Sequence, residues 1–122
     1  MIFRFAELVG NYGLVVSPEL LAFIERAFVE PAPAADRAAI RAEALAEAAA
    51  AQLIIGADGT LVSRAGTAEF YRIQLAVGDD RLEQLAFEKA PGHGVVLSMR
   101  DADTVVAAQT GKPDAVFRRR AP

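Results

Sequence analysis

Glu69-Phe70-Tyr71-Arg72-Ile73-Gln74-Leu75-Ala76-Val77 decides how this chain folds. Tyr71, Ile73, Leu75 and Val77 recur at every second position, with Arg72 and Gln74 on the opposite parity. A period of two belongs to a β-strand with one face buried. The stretch is the longest of a series that runs from about Gln52 to Arg120. Towards the C-terminus, Gly78-Asp79-Asp80 turns the chain, and Leu85 and Phe87 point inward while Gln84 and Glu88 point out. Pro91-Gly92-His93-Gly94 turns it again, and Val95, Leu97 and Met99 alternate with Ser98 and Arg100. After Asp101-Ala102-Asp103, Thr104 to Ala108 is too uniformly apolar for its inward side to be assigned. Thr110 to Asp114 is the last turn, and Val116 to Arg120 the last strand.

Towards the N-terminus, Thr60 to Arg64 pairs back onto Gln52 to Ile55 through Gly56-Ala57-Asp58-Gly59, where Asp-Gly is a hairpin signal. Tyr12 to Val16 is short and β-rich. With it the chain has about eight strands at hairpin spacing, a count that suits a sandwich or an up-and-down barrel. The expected architecture is α+β: an eight-strand antiparallel barrel or strongly curved sheet, with two helices inserted between the first and second strands. One domain spans 1–122, divided into an N-terminal segment with the first strand (1–16), a helical insertion (17–51) and a β-meander (52–120).

Residues 2–9 suit a short helix with Phe5, Leu8 and Val9 on one side. Ser17-Pro18-Glu19 is a helix start, with a hydroxyl N-cap, proline in the first turn and a carboxylate near the positive end of the dipole. From Pro18 to Glu30 the helix is apolar over more than half its circumference: Leu20, Leu21, Phe23, Ile24, Ala27, Phe28 and Val29. At about 1.5–3 kcal/mol for each large side chain buried, such a helix must pack on the sheet, cover the barrel mouth or meet a partner. Pro31-Ala32-Pro33 breaks it. An alanine-rich helix follows to Ala51, with Ile40, Ala44, Leu45 and Ala48 as an apolar stripe and Arg37, Arg41, Glu43 and Glu47 as a solvated face.

Composition narrows the function. The chain has 122 residues, 53% of them hydrophobic and 24% charged, enough to bury a core without staples. A net charge of -3 argues against nucleic acid as a partner. There is no cysteine, which excludes disulfides and thiolate metal sites and suits a reducing compartment. Arg4 and Glu7 interrupt any leader-like run, so cytoplasmic is the default location, with export open if a leader was removed. No apolar stretch approaches the ~20 residues of a membrane helix.

Three stretches together are similar to the calycins, the small barrels that include lipocalins, and most of all to bacterial lipocalin-like domains. Leu8-Val9-Gly10-Asn11-Tyr12-Gly13-Leu14-Val15 resembles the opening motif, in which glycine, any residue and an aromatic begin the first strand. Ala57-Asp58-Gly59-Thr60 resembles the turn that opens the meander, and Asp101 to Val106 with Val116-Phe117-Arg118-Arg119 the closing hairpin. The resemblance implies that a late arginine packs across the first strand's aromatic ring. Here that pair is Tyr12 with Arg119 or Arg118, and parity with Phe117 favours Arg119. Tyrosine stands where tryptophan is more usual.

The expected interior is Tyr12, Leu14, Leu53, Ile55, Tyr71, Ile73, Leu75, Leu85, Phe87, Val95, Leu97, Met99 and Phe117. An eight-stranded barrel is just wide enough to be filled by side chains or to hold one small ligand. The candidate ligand-binding residues are Tyr12, Tyr71, Ile73, Leu85, Phe87, Leu97, Met99, Phe117 and Arg119, with Tyr12, Tyr71 and Arg119 as the polar groups. No catalytic, metal or cofactor constellation stands out. His93, the only histidine, reads as an exposed turn residue, and Asp58, Asp79, Asp80, Asp101 and Asp103 as turn formers. Arg118-Arg119-Arg120 has the chemistry to hold an anion, but in an acidic chain it reads better as a strand end with a solubilising tail. The first functional expectation is a small hydrophobic ligand in the barrel. The second is protein interaction, including a homodimer, through helix 18–30 or a sheet edge. The third is an isomerase or cyclase shaping an apolar substrate, with Tyr71 or Glu69 the first residues to test.

Overall fold

The alternating segments form one antiparallel sheet that curls into a nearly closed barrel. The structure, a computed structural model, describes residues 1–120. A one-turn helix α1 (Phe5–Leu8) leads into β1 (Gly10–Leu14). Helix α2 (Pro18–Ile24) continues as a π-helical turn (Glu25–Val29), and a 3-10 turn (Ala34–Asp36) precedes α3 (Arg37–Ala50). The remaining strands are β2 (Ala51–Ile55), β3 (Thr60–Ala65), β4 (Ala68–Gln74), β5 (Leu85–Ala90), β6 (His93–Asp101), β7 (Thr104–Gln109) and β8 (Ala115–Arg119).

The strand order is β4-β3-β2-β1-β8-β7-β6-β5. The first strand therefore joins the two halves of the later run, pairing Tyr12 with Leu53 of β2 and with Arg119 of β8. No hydrogen-bonded ladder links β4 to β5, so the ring stays open there. The expected unbroken meander fails at this one point. The alternation through Val77 suggested a strand that ran on, but the ladder ends at Gln74 and Val77 is 54% exposed. Residues 75–84 form an irregular connector, held by reciprocal backbone hydrogen bonds between Phe3 and Leu82 of 2.8 and 2.7 Å. The longest strand is β6, not the segment around Tyr71. In β7, Val105 and Ala107 take the inward side that the sequence left open.

Turn chemistry fixes the register. At the β2–β3 hairpin the Asp58 carboxylate accepts from the Thr60 amide at 3.0 Å, and Gly59 takes a φ of 89°, which a side chain strains to adopt. The Ser17 hydroxyl caps α2 by accepting from the Leu20 amide at 3.1 Å.

Two cores result. The barrel core joins Leu53, Ile55, Leu61, Val95, Leu97, Met99, Val105 and Phe117 to Phe3, Phe5 and Leu8, which plug one end. The smaller core lies between the helices, where Ile24 and Val29 pack on Ala48 with Ile40, Ala44 and Leu45 beside them. Leu14 touches both. Arg41 ties the π-helical turn to α3 by pairing with Glu25, and Arg37 donates to the carbonyls of Ala32 and Glu30 at 3.1 Å each. The apolar helix is only partly covered: Leu21 and Phe28 remain 41% and 54% exposed.

Candidate functional site: the open mouth of the barrel

The up-and-down course of the strands puts the β3–β4, β5–β6 and β7–β8 turns at one end of the barrel, with the start of β2 and the helix pair. At this end the inward parity changes character. Leu85 and Phe87 are followed on the same side of β5 by Lys89. Val95 and Leu97 are preceded on β6 by His93, Val105 and Ala107 are followed on β7 by Gln109, and Leu61 is followed on β3 by Ser63. Inward positions are apolar through the body of the barrel and polar at its rim.

These residues surround a cavity of about 560 Å³ open to solvent. Leu53, Phe117 and Ala107 line it on the apolar side, and Ser63, Tyr71, Lys89, His93, Gln109 and Lys112 supply its polar groups. Ala107 and Ala115 leave the room that larger side chains would fill. Tyr71 spans the unpaired seam, its ring 6.1 Å from that of Phe87 at 45°. Burial pushes the Tyr71 hydroxyl above its ordinary pKa, and a hydrogen bond with Ser63 opposes the shift. The Lys89 ammonium donates to the Gln109 side-chain carbonyl at 2.5 Å. Burial first, and then the neighbouring Lys112 ammonium, pull Lys89 below the usual lysine pKa.

A second depression of about 460 Å³ adjoins the mouth, between the helices and the barrel. Leu14, Leu20, Phe23, Phe28 and Ile40 line it with Glu43 and Glu47. Phe70 and Lys112 border both spaces.

The opposite end is shut. Arg119 lies over the Tyr12 ring, 4.8 Å from guanidinium carbon to centroid, a cation–π contact. The same guanidinium donates to the carbonyls of Val9 at 2.7 Å, Glu7 at 2.8 Å and Ala102 at 3.1 Å, and lies 3.6 Å from the Asp103 carboxylate. The buried Tyr12 hydroxyl donates to the Leu8 carbonyl at 2.7 Å. Gly10 makes room for this arrangement, since a Cβ there would collide with the Arg119 guanidinium. Burial raises the Tyr12 pKa, only partly offset by Arg119.

The structure thus divides the candidate residues into three groups. Tyr71 and Phe117 line the cavity. Leu97 and Met99 are buried in the barrel core, with Ile73, Leu85 and Phe87 packed half-buried against it. Tyr12 and Arg119 stand at the shut end, engaged with each other and with backbone carbonyls. Ser63, Lys89, Gln109 and Lys112 join the site only through the fold. For the first three the signal is a polar residue on the apolar parity at a strand end. Lys112 lies in a turn and carries no such mark. His93, read as an exposed turn residue, is exposed and also lines the mouth.

Among the described residues, no helix is long and apolar enough to cross a membrane. No known family model, curated protein or solved structure matches this chain.

Proposed function

We propose that this chain is a small-ligand binding protein of calycin-like type, taking an apolar molecule into the open end of its barrel. The observation that carries the reading is the cavity of about 560 Å³, with an apolar floor at Leu53 and Phe117 and a polar rim. Its size and its mix of surfaces are those of small-molecule sites, mostly apolar with a few placed polar groups. The shut end supports the reading, because Arg119 over Tyr12 is the contact that the calycin resemblance implies. The apolar helix beside the mouth would act as its lid.

The test is occupancy. Nile red, an uncharged lipophilic dye, should bind with a blue-shifted emission. Ala107→Phe, which fills the floor, should abolish the signal while the circular dichroism of the barrel is retained. Binding that survives a filled floor would remove the reading. Native mass spectrometry of gently purified protein gives an independent answer, as extra mass lost on denaturation.

A second reading rests on the partly bare helix. Leu21 and Phe28 are exposed on α2 and its π-helical turn, with Val16 and Phe70 also exposed. A homodimer through this face would cover the helix residues. It calls for a sedimentation coefficient that rises with concentration in the wild type and not in Phe28→Glu.

A further inference from the structure

The chain carries 13 lysines and arginines, and of these only Lys89 and Lys112 are lysines. Both line the cavity at the mouth, Lys89 from β5 and Lys112 from the β7–β8 turn. Arginine supplies the rest. The two residue types are not equivalent: arginine stays charged at any ordinary pH, whereas lysine can lose its proton and become a nucleophile. A site that needed charge alone could have been built with the residue used throughout the rest of the chain. The mouth has the amines instead.

Of the two, Lys89 is the better placed to react. It follows Leu85 and Phe87 on the inward parity of β5 and is half-buried, while Lys112 is exposed. Its amine is fixed at the rim by donating to the Gln109 side-chain carbonyl at 2.5 Å. That partner is neutral and does not hold a proton on the nitrogen as a carboxylate would. Among the described residues the ion pairs are Arg41–Glu25, Arg72–Glu69 and Arg119–Asp103, so Lys89 has no carboxylate within 4.0 Å. Partial burial and then the nearby Lys112 ammonium both disfavour its charged form. Lysines become nucleophiles in an apolar pocket or beside a second cation, and Lys89 has both neighbours.

The floor below decides the electrophile. Leu53, Ala107 and Phe117 are apolar, so a molecule seated on them brings a reactive group to Lys89 only if that group stands at the molecule's end. A terminal carbonyl is an aldehyde. We propose that Lys89 is a nucleophilic amine that captures an apolar aldehyde as a Schiff base, with the aldehyde's chain in the cavity below the rim. The proposal rests on the ligand-binding reading and adds a covalent step to it. The Lys89 nitrogen attacks the carbonyl carbon, and the carbonyl π pair moves to oxygen. A proton passes from nitrogen to that oxygen to give a carbinolamine. The nitrogen lone pair then forms the C=N bond as the oxygen takes a second proton and leaves as water. Tyr71 and His93 line the same cavity and carry exchangeable protons for these transfers. One water is released, and no oxidant or reductant is consumed. Hydrolysis reverses the step, which suits a carrier that must release what it holds.

The experiment incubates wild type at neutral pH with dodecanal, or with propanal, which has almost no chain to seat, and traps the imine with cyanoborohydride. Peptide mass mapping then reads an addition of the aldehyde's mass less one oxygen. Dodecanal should modify Lys89 about a hundredfold faster than propanal does, a small part of what holding a carbonyl beside its nucleophile can supply. Lys112 should react at the slow propanal rate with both. Lys89→Arg, shown to be folded by circular dichroism, should lose the fast reaction. Equal rates for the two aldehydes at Lys89 overturn the proposal, as does a Lys112 that reacts as fast as Lys89. Dodecanal that displaces Nile red and leaves Lys89 unmodified also overturns it, while the ligand-binding reading stands. If neither dye nor dodecanal binds the folded protein, both readings fall together.

Discussion

The two ends of this barrel use similar residue types to opposite effect. At the shut end an arginine and a tyrosine meet, and every polar atom of the pair that can be followed has a partner: carbonyls for the guanidinium, the Leu8 carbonyl for the hydroxyl, Asp103 nearby for the charge. At the open end a tyrosine and two lysines face a cavity, and the charges repel each other instead. A buried polar network closed on itself fixes one structure, whereas polar groups around an open cavity leave faces for something else to bind. The seams follow the same division. β1 and β8 are joined by a ladder and by Arg119 over Tyr12, while β4 and β5 are bridged by the Tyr71 and Phe87 rings without a ladder.

The comparison breaks first if the shut end is not the stability anchor. Tyr12→Ala should have the largest effect, a loss of about 3–5 kcal/mol in urea unfolding, the range for removing a large aromatic side chain from a core. Arg119→Met should cost about 1–3 kcal/mol, combining the cation–π contact with carbonyls left to find water. Tyr12→Phe keeps the ring and loses only the hydrogen bond to Leu8, about 1 kcal/mol. It also has a pH signature. The folded Tyr12 pKa is raised above 10.0, so its contribution is full below 10.0 and is lost as pH climbs through the folded value. Wild type should therefore lose stability faster than Tyr12→Phe above pH 10.0. Equal slopes would place the hydroxyl in water.

Much of the shut end was legible in the sequence, and little of the open end was. The calycin resemblance of Gly10-Asn11-Tyr12 and the last strand implies the contact of Tyr12 with Arg119 or Arg118, and parity with Phe117 favours Arg119, which the structure places over the ring. The barrel was legible because alternation repeats strand by strand, and Asp58-Gly59 marks a hairpin wherever it occurs. The gap between β4 and β5 was hidden because Leu75 and Val77 prolong the alternation beyond the last ladder bond, where tertiary context stops it. The mouth was hidden because it is assembled from single residues on β3, β5, β6 and β7 and in a turn. Lys89 and Gln109 are each unremarkable alone. Only the register brings them 2.5 Å apart.

A smaller effect, of opposite sign, is expected at the open end. Lys89→Met removes a charge that the fold disfavours, so the variant should be as stable as wild type or more so at neutral pH. The folded pKa of Lys89 is depressed, so the folded state binds this proton less tightly than the unfolded chain does. Wild type should gain on the variant as pH rises from the lowered value to 10.5, and the difference should then level off. A variant less stable than wild type at neutral pH would show that Lys89 supports the fold through Gln109, and the contrast between the two ends would lose its force.

The smallest effect is expected at an exposed ion pair that makes two hydrogen bonds. Arg41 holds both carboxylate oxygens of Glu25, and this hydrogen-bonded pairing lowers the Glu25 pKa. Both side chains nevertheless stand 40% or more exposed. Exposed pairs exchange water for each other at little net gain, and salt screens what remains. Glu25→Gln should leave the unfolding midpoint unchanged within error at 0.15 M salt, a screening length of about 8 Å. A clear loss would mean that the pair holds the π-helical turn against α3. The helix pair would then owe its position beside the mouth to this one contact.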